Sequence, residues 1–140
     1  MAEIRKKFDF CLLDAPAGLG TGFLLATAAA DRCVVVTTAD ASSLRDAQHT
    51  VMELNHFRPG TLHLVVNRVR KKLLRSMHAT IDDAIDTAGL PLIGIVPEDP
   101  DVILSAAFGK PLLTYTKKGA AAACRRIAKR VQGIPGMVEL

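Results

Sequence analysis

The sequence has few aromatic side chains and no tryptophan, although it is rich in aliphatic residues. Aromatic residues make up 4% of the 140 residues, whereas hydrophobic residues of all kinds reach 49%. This composition is typical of short β-branched strands that pack against alanine- and leucine-rich helices. The length permits one hydrophobic core, so we expect a single α/β domain over residues 1–140.

Targeting and anchoring segments are also missing from the pattern. No apolar stretch approaches the length that spans a membrane, and residues 1–20 lack the charged start and apolar run of a signal peptide. We therefore expect a cytoplasmic protein. The net charge of +4 is modest and its basic residues are mostly dispersed, so nucleic-acid binding is not indicated.

Cysteine is scarce, and its spacing excludes the common metal-binding patterns. Cys11, Cys33 and Cys124 form an odd number with no paired spacing. Each lies in an apolar stretch, where a free thiol behaves as a small hydrophobic side chain. The sequence therefore predicts three buried, reduced cysteines.

Four short apolar runs predict the strands of the domain. They are too short for helices and lack strict polar alternation, which favours strands buried on both faces of a parallel sheet. The runs are 8–14, Cys33–Thr38, 62–67 and Leu92–Pro97. Helix-length segments lie between and after them, at 19–30, 43–57, 71–88, 102–108 and 118–132. The expected architecture is a three-layer α/β/α fold with a mostly parallel sheet.

Helix boundaries follow from cap and breaker residues. Ser42 or Ser43 is expected to cap the second helix, because a hydroxyl can accept from the free N–H groups of the first turn. Gly89, followed by an extended Leu-Pro pair, is expected to end the third.

The first apolar run ends in an acidic residue and a turn. Asp14 is followed at once by Ala15, Pro16, Ala17 and Gly18. A carboxylate at the carboxyl end of a parallel strand lies where α/β proteins bind ligands, and it can hold Mg²⁺, usually through water. Pro16 and Gly18 would then shape a loop that senses a γ-phosphate. Alternatively, Asp14 caps the following helix and Gly18 ends a turn, and spacing alone leaves both interpretations open.

Four motifs, each at a strand end and in a fixed order, resemble those of the MinD/ParA-type P-loop ATPases. Residues 14–22 are similar to the Walker B and switch II region, and 41–46 to a Ser-Ser-hydrophobic-Arg-Asp segment of that family. The strand-end pair Asn67 and Arg68 and the loop at 94–99 complete the set. A later turn at 109–112 resembles the family's Gly-x-Pro turn, and the resemblance extends over residues 8–132.

The resemblance implies a role for each of the matching residues. Asp14 would assist Mg²⁺, with Asp14, Pro16, Ala17 and Gly18 forming the catalytic switch region. Another set would frame the adenine of ATP: Asn67, Arg68, Pro97, Glu98 and Asp99. Taken singly these motifs are weak, since an Asn-Arg pair is more often a solvated strand end and Pro-Glu-Asp is more often a loop with a helix cap.

The phosphate-binding loop of such an ATPase is absent from the sequence. No Gly-x-x-x-x-Gly-Lys-Ser/Thr occurs, and the glycines at 18–22 have no neighbouring lysine. In the family, the strand before that loop lies in the sheet between the Asp14 strand and Cys33–Thr38. We therefore expect the N-terminal strands, including this central one, to be missing. The sheet would then hold a gap, close by direct pairing of these strands, or take a strand from another chain.

The resemblance implies a function in the spatial regulation of cell division or partitioning. The complete protein would bind ATP and Mg²⁺, form an ATP-dependent homodimer and contact protein regulators. The present chain would be a fragment or a sequence that begins too late, and it would not hydrolyse ATP alone. Residues 133–140 contain one proline and two glycines, so no amphipathic membrane anchor is expected there.

Two further functions compete with this interpretation. The chain could be a non-enzymatic binding module or degenerate half-domain that associates with a partner chain. A phospho-acceptor receiver-like domain ranks last. Such a domain needs an acidic pair on an earlier strand, which residues 1–7 cannot supply, and Asn67-Arg68 occupies the place of its lysine.

Overall fold

A computed structural model describes residues 2–70, 81–82, 85–86, 88–136 and 138. Its helices are α1 (Ala2–Arg5), α2 (Thr21–Ala29), α3 (Ala41–Glu53), α4 (Pro100–Ala107), α5 (Leu112–Tyr115) and α6 (Gly119–Val131). Its strands are β1 (Cys33–Thr38), β2 (Leu62–Val69) and β3 (Leu92–Pro97). Most of the predicted helix 71–88 lies outside the described residues, but positions 81–82, 85–86 and 88 are helical.

The three strands form one parallel sheet in the order β1-β2-β3. The central strand β2 is covered on both of its edges and both of its faces, an environment that suits its apolar residues. Leu64, Val66 and Val69 have no exposed surface. Helix α3 packs against β1 and α6 packs against β3. The predicted α/β class with a parallel sheet is therefore confirmed.

The strand predicted at 8–14 is absent, and that prediction is wrong. Residues 11–16 have no regular secondary structure, and residues 9–19 make no backbone hydrogen bond with another described residue. Phe10 is 66% exposed and Leu12 is 92% exposed. The apolar pattern indicates a segment suited to a buried sheet, but a strand forms only where a neighbour pairs with its N–H and C=O groups.

Of two predicted helix boundaries, one is wrong and the other is confirmed. The N-cap of α3 is Asp40, whose carboxylate accepts from the backbone N–H of Ser43 at 3.0 Å, so the prediction of a serine cap is wrong. Aspartate one position before the helix is as good a cap as serine. Gly89 has a φ of +63° and its N–H donates to the Ile85 carbonyl at 2.9 Å. This confirms Gly89 as the end of the helix predicted at 71–88.

The three cysteines are free, as predicted, but their burial differs. Cys11 is exposed because it lies in the unpaired segment, so its predicted burial is wrong. Cys33 and Cys124 are half-buried. Burial raises the pKa of the Cys33 thiol above its usual range, which keeps this side chain protonated and unreactive.

Asp99 joins the start of α4 to the start of α6. Its Oδ1 accepts from the Asp101 N–H at 3.0 Å, and its Oδ2 accepts from the Ala120 N–H at 2.8 Å. Both N–H groups belong to the first turn of a helix, where the helix itself offers no acceptor. Gly119 adopts a φ of +55° beside this carboxylate, and a Cβ there would lie 2.0 Å from Asp99 Oδ2.

Replacing Asp99 should therefore destabilise the carboxy-terminal half. Asp99→Ala removes the acceptor for two helix starts, and we expect it to lower the free energy of unfolding by about 2 kcal/mol. Asp99→Asn retains one oxygen and should cost about half as much. Urea denaturation followed by circular dichroism measures both. Equal stability of Asp99→Ala and the unchanged chain would show that the caps contribute nothing.

Candidate functional site

The carboxyl ends of the three strands lie at one edge of the sheet, where Asn67, Arg68 and residues 97–99 are located. Thr38 at the end of β1 is in register with Asn67, and Val69 of β2 is in register with Pro97. A groove of about 1240 Å³ opens between β1 and residues 8–17, which have no regular secondary structure. Its lining at this edge includes Asp14, Pro16, Ala17, Gly18 and Asn67.

The turn after Asp14 is built from small residues. Gly18 has a φ of +86°, which favours glycine, and a Cβ at Gly22 would lie 2.7 Å from Pro16 Cγ. The N-cap of α2 is Gly20 and no side chain caps this helix, so the alternative that Asp14 is the cap is wrong. The Asp14 carboxylate is exposed and lines the groove.

A single carboxylate in this position fits Mg²⁺ held through water. The described residues contain no group of three or more His, Cys, Asp or Glu that could enclose a metal ion. Magnesium retains several waters and commonly binds one or two carboxylates together with substrate phosphates. Asp14 would supply that one oxygen ligand.

Asn67 and Arg68 form an irregularity at the end of β2. The pairing of β2 with β3 shifts register between Val66 and Val69, and Arg68 has a φ of +56°. The Arg68 N–H donates to Asn67 Oδ1 at 2.9 Å. Bulges of this kind re-aim side chains next to binding sites. Here the irregularity accompanies an Asn67 side chain in the lining of the groove.

Glu98 links the ends of β2 and β3 through two arginines. Its carboxylate accepts from Arg70 Nε at 2.7 Å and from Arg68 Nη2 at 3.4 Å. The Arg70 hydrogen bond is the main cause that lowers the pKa of Glu98 below its ordinary value. Arg70 was missed from the sequence, although it lies two residues after Arg68.

Asp40 organises a second polar cluster after β1. Its Oδ1 accepts from Ser42 Oγ at 2.8 Å, and Thr38 Oγ1 donates to its other oxygen. The Thr38 hydrogen bond, followed by those of Ser43 and Ser42, lowers the pKa of Asp40 well below its ordinary range. Sequence reasoning missed Asp40 and Thr38, and the signal that could have found them is an aspartate directly before a helix.

The structure does not bring all predicted residues to the same surface. Asp14, Pro16, Ala17, Gly18 and Asn67 meet around the groove, whereas Pro97, Glu98 and Asp99 are not part of its lining. Arg68 connects the two groups through Glu98. The carboxylate of Asp99 accepts from two helix starts, and a contact of this residue with a base stays a prediction.

Comparisons with known proteins give matches over most of the chain. No protein-family model matches the chain. The septum site-determining protein MinD of Synechocystis is 35% identical over 133 residues, and the match covers 94% of this chain and 50% of that protein. MinD of Bacillus subtilis is 35% identical over 136 residues with the same coverage. The chain spans about half the length of these relatives.

Solved structures agree with the sequence matches. The MinD cell division protein of Aquifex aeolicus superimposes with a TM-score of 0.88 and 27% identity over 99% of this chain and 60% of its own. MinD of Pyrococcus horikoshii, solved with Mg-ADP, gives a TM-score of 0.74 at 26% identity over 93% of this chain and 53% of its own. Among the described residues, no helix is long and apolar enough to cross a membrane. The chain belongs to the MinD/ParA family of P-loop ATPases.

Proposed function

We propose that this chain is the carboxy-terminal, base-binding and switch-bearing portion of a MinD/ParA-like ATPase that acts in the cytoplasm on the placement of cell division or on partitioning. The observation that carries the proposal is the convergence of Asp14, Gly18 and Asn67 on one groove at the strand ends. This edge of an open α/β sheet is where such proteins bind ligands.

The proposed roles of the residues are those that the family resemblance implies. Asp14 holds Mg²⁺ through water, and Pro16, Ala17 and Gly18 respond to the γ-phosphate. Asn67 and Arg68 lie on one side of the adenine, with Pro97, Glu98 and Asp99 on the other. Since phosphoryl transfer depends on positioning and charge stabilisation, a chain without a phosphate loop should not catalyse it alone.

The assembled protein would act through partners. A protein regulator of division is proposed as a partner by analogy with the MinC:MinD cell division protein complex of Aquifex aeolicus. An ATP-dependent homodimer is proposed from the family resemblance alone. Nucleic acid is not part of the proposal, because the net charge is modest.

A chimera tests this function directly. The part of Bacillus subtilis MinD that this chain does not match is fused before it, and ATP hydrolysis is measured with Mg²⁺. The 140-residue chain should show no turnover, whereas the chimera should hydrolyse ATP. In the chimera, Asp14→Ala should lower kcat roughly 100-fold, because the residue that would hold Mg²⁺ against the reacting phosphate is removed.

Asp9 supplies the matched control for Asp14. It is an exposed aspartate in the same segment, five residues before Asp14, and it lines the same groove. Asp9→Ala should leave kcat within about twofold of the chimera, since a charge far from the phosphates contributes little. Tight binding of Mg·ATP by the isolated chain in calorimetry, or a chimera insensitive to Asp14→Ala, would overturn the assignment.

The open groove favours a second candidate function. In that case the chain is a non-enzymatic binding module that associates with a partner chain along β1. The observation behind it is that β1 pairs with β2 alone among the described residues, although its sequence CVVVTT is that of an interior strand.

A further inference from the structure

The end of β2 and the loop after β3 are tied together at three places. The Glu98 N–H donates to the Val69 carbonyl at 2.9 Å, which joins the two backbones. The Glu98 carboxylate accepts from Arg70 Nε at 2.7 Å through one oxygen and from Arg68 Nη2 at 3.4 Å through the other. One acidic side chain of the loop after β3 is therefore shared by two arginines at the end of β2.

The two arginines hold Glu98 unequally. Arg70 Nε lies 2.7 Å from the carboxylate, which is the distance of a charge-assisted hydrogen bond, whereas the 3.4 Å from Arg68 Nη2 is longer than such bonds usually are. The Arg70 hydrogen bond is also the largest cause of the lowered pKa of Glu98, and the hydrogen bond from Arg68 comes after it. Arg70 is therefore the main partner of this carboxylate.

The backbone between these contacts is strained. Arg68 has a φ of +56°, and the left-handed region costs free energy for a residue with a Cβ. Its N–H donates to Asn67 Oδ1 at 2.9 Å, and the register of β2 against β3 shifts at this place. Strained backbone persists only where the surrounding structure fixes it. The bond from Arg70 to Glu98 is one such contact, because it holds the chain two residues after Arg68 against the neighbouring loop.

The residues proposed to frame the base are carried by these same two segments. Asn67 and Arg68 lie at the end of β2, whereas Pro97 ends β3 and Glu98 and Asp99 follow it. A flat ring held between two segments requires a fixed distance between them. A gap wider by about 1 Å forfeits up to about half of the dispersion attraction. A contact that sets this distance therefore affects nucleotide binding without touching the nucleotide.

We propose that Arg70 is a positioning residue for nucleotide binding, which sets the distance between the end of β2 and the loop after β3 by holding Glu98 in place. This role rests on the proposed function and adds a residue to it. Arg70 acts through Glu98 and does not contact the base. Since the distance between the two segments concerns the base and not the reacting phosphate, loss of Arg70 should change KM more than kcat.

The chimera that tests the proposed function also tests this residue. Arg70→Gln removes the charge and should raise the KM for ATP about threefold to fivefold, which is the range that exposed ion pairs allow. The value of kcat should stay within about twofold. Arg70→Glu places a second carboxylate beside Glu98 and should raise the KM about tenfold or more. Titration with fluorescent N-methylanthraniloyl-ADP should give the same ratios for Kd, without turnover.

Two further variants separate positioning from a general loss of structure. Arg70 donates a single N–H to Glu98, so Arg70→Lys can keep the ion pair and should return the KM to within about twofold of the unchanged chimera. In a Glu98→Gln background the carboxylate partner is gone. Arg70→Gln should then change the KM by less than about 1.5-fold.

Arg58 supplies the matched control for the loss of charge. It is an exposed arginine that precedes β2, at the opposite end of this strand from Arg70. Arg58→Gln removes the same charge from the chimera and should leave the KM within about 1.5-fold, because a distant exposed charge is screened by salt.

The possible outcomes distinguish the role of Arg70 from the function on which it rests. A chimera that hydrolyses ATP with the same KM before and after Arg70→Gln would overturn the positioning role alone. So would a fall in kcat as large as the rise in KM, or an equal rise in KM for Arg58→Gln or in the Glu98→Gln background. A chimera that neither binds nor hydrolyses ATP would contradict the proposed function and the role of Arg70 with it.

Discussion

Gly94→Ala should lower the free energy of unfolding by about 3 kcal/mol, because α6 lies directly on this residue of β3. A Cβ at position 94 would lie 2.2 Å from Ile127 Cγ1 and 2.6 Å from Ile127 Cδ1. The nearer atom is not the free end of the side chain, so relief requires a new Ile127 rotamer or a shift of the helix. Thermal and urea unfolding would measure the loss.

A double-mutant cycle separates crowding from other effects of the substitution. Ile127→Ala removes both crowded atoms, so Gly94→Ala should cost about 1 kcal/mol or less in that background. Gly136→Ala is the matched control, since the nearest atom to a Cβ there is Arg130 Nε at 4.0 Å. A similar loss at Gly94 in both backgrounds would contradict close packing of α6 on β3.

Leu64→Ala should lower the free energy of unfolding by about 4 kcal/mol. Leu64 has no exposed surface and lies in β2, in register with Val35 of β1 and Leu92 of β3. Truncation leaves a cavity in the middle of a three-stranded sheet, where rigid neighbours on both sides limit collapse. Urea denaturation should show a lower midpoint with a slope close to that of the unchanged chain.

Leu12→Ala is the control of the same chemistry in the opposite environment. Leu12 is 92% exposed, so its truncation should change the stability of the free chain by no more than about 0.5 kcal/mol. If both leucines cost the same, the core would not be centred on β2. If Leu12→Ala alone lowered the stability, residues 9–16 would be packed against the rest of the protein in solution.

The exposed apolar residues are concentrated where the sheet is open. Phe10, Leu12 and Val36 belong to the walls of the groove, and each is at least 60% exposed. Apolar surface of this kind on a soluble protein usually marks an interaction site or a tendency to aggregate.

Electrostatic contacts at the strand ends organise the site more than they stabilise it. The Arg70–Glu98 and Arg68–Glu98 pairs are largely exposed, and exposed ion pairs contribute little to folding. Their effect is to hold the loop after β3 against the end of β2. The irregular backbone at Arg68 and the carboxylate of Glu98 are therefore fixed relative to each other before any ligand binds.

Much of the fold could be predicted because its signals are local. The runs at Cys33–Thr38 and Leu92–Pro97 became strands with the bounds expected from their apolar residues. Gly89 ended a helix because its positive φ is a property of one residue. The sequence alone could not predict which side chain accepts from the Ser43 N–H or which one pairs with Arg70. Several polar side chains lay within reach of each.

The sequence by itself determined the parallel α/β class, the order of the predicted site residues Asp14, Asn67 and Glu98, and the lack of a phosphate-binding loop among the 140 residues. Only the tertiary structure decided that residues 8–14 lie unpaired, that Asp99 caps two helices and that the Ile127 side chain packs directly on Gly94. A residue pattern reports how well a segment suits a buried strand or a helix start. Which atoms satisfy its N–H groups and fill its surface depends on residues far away in the chain.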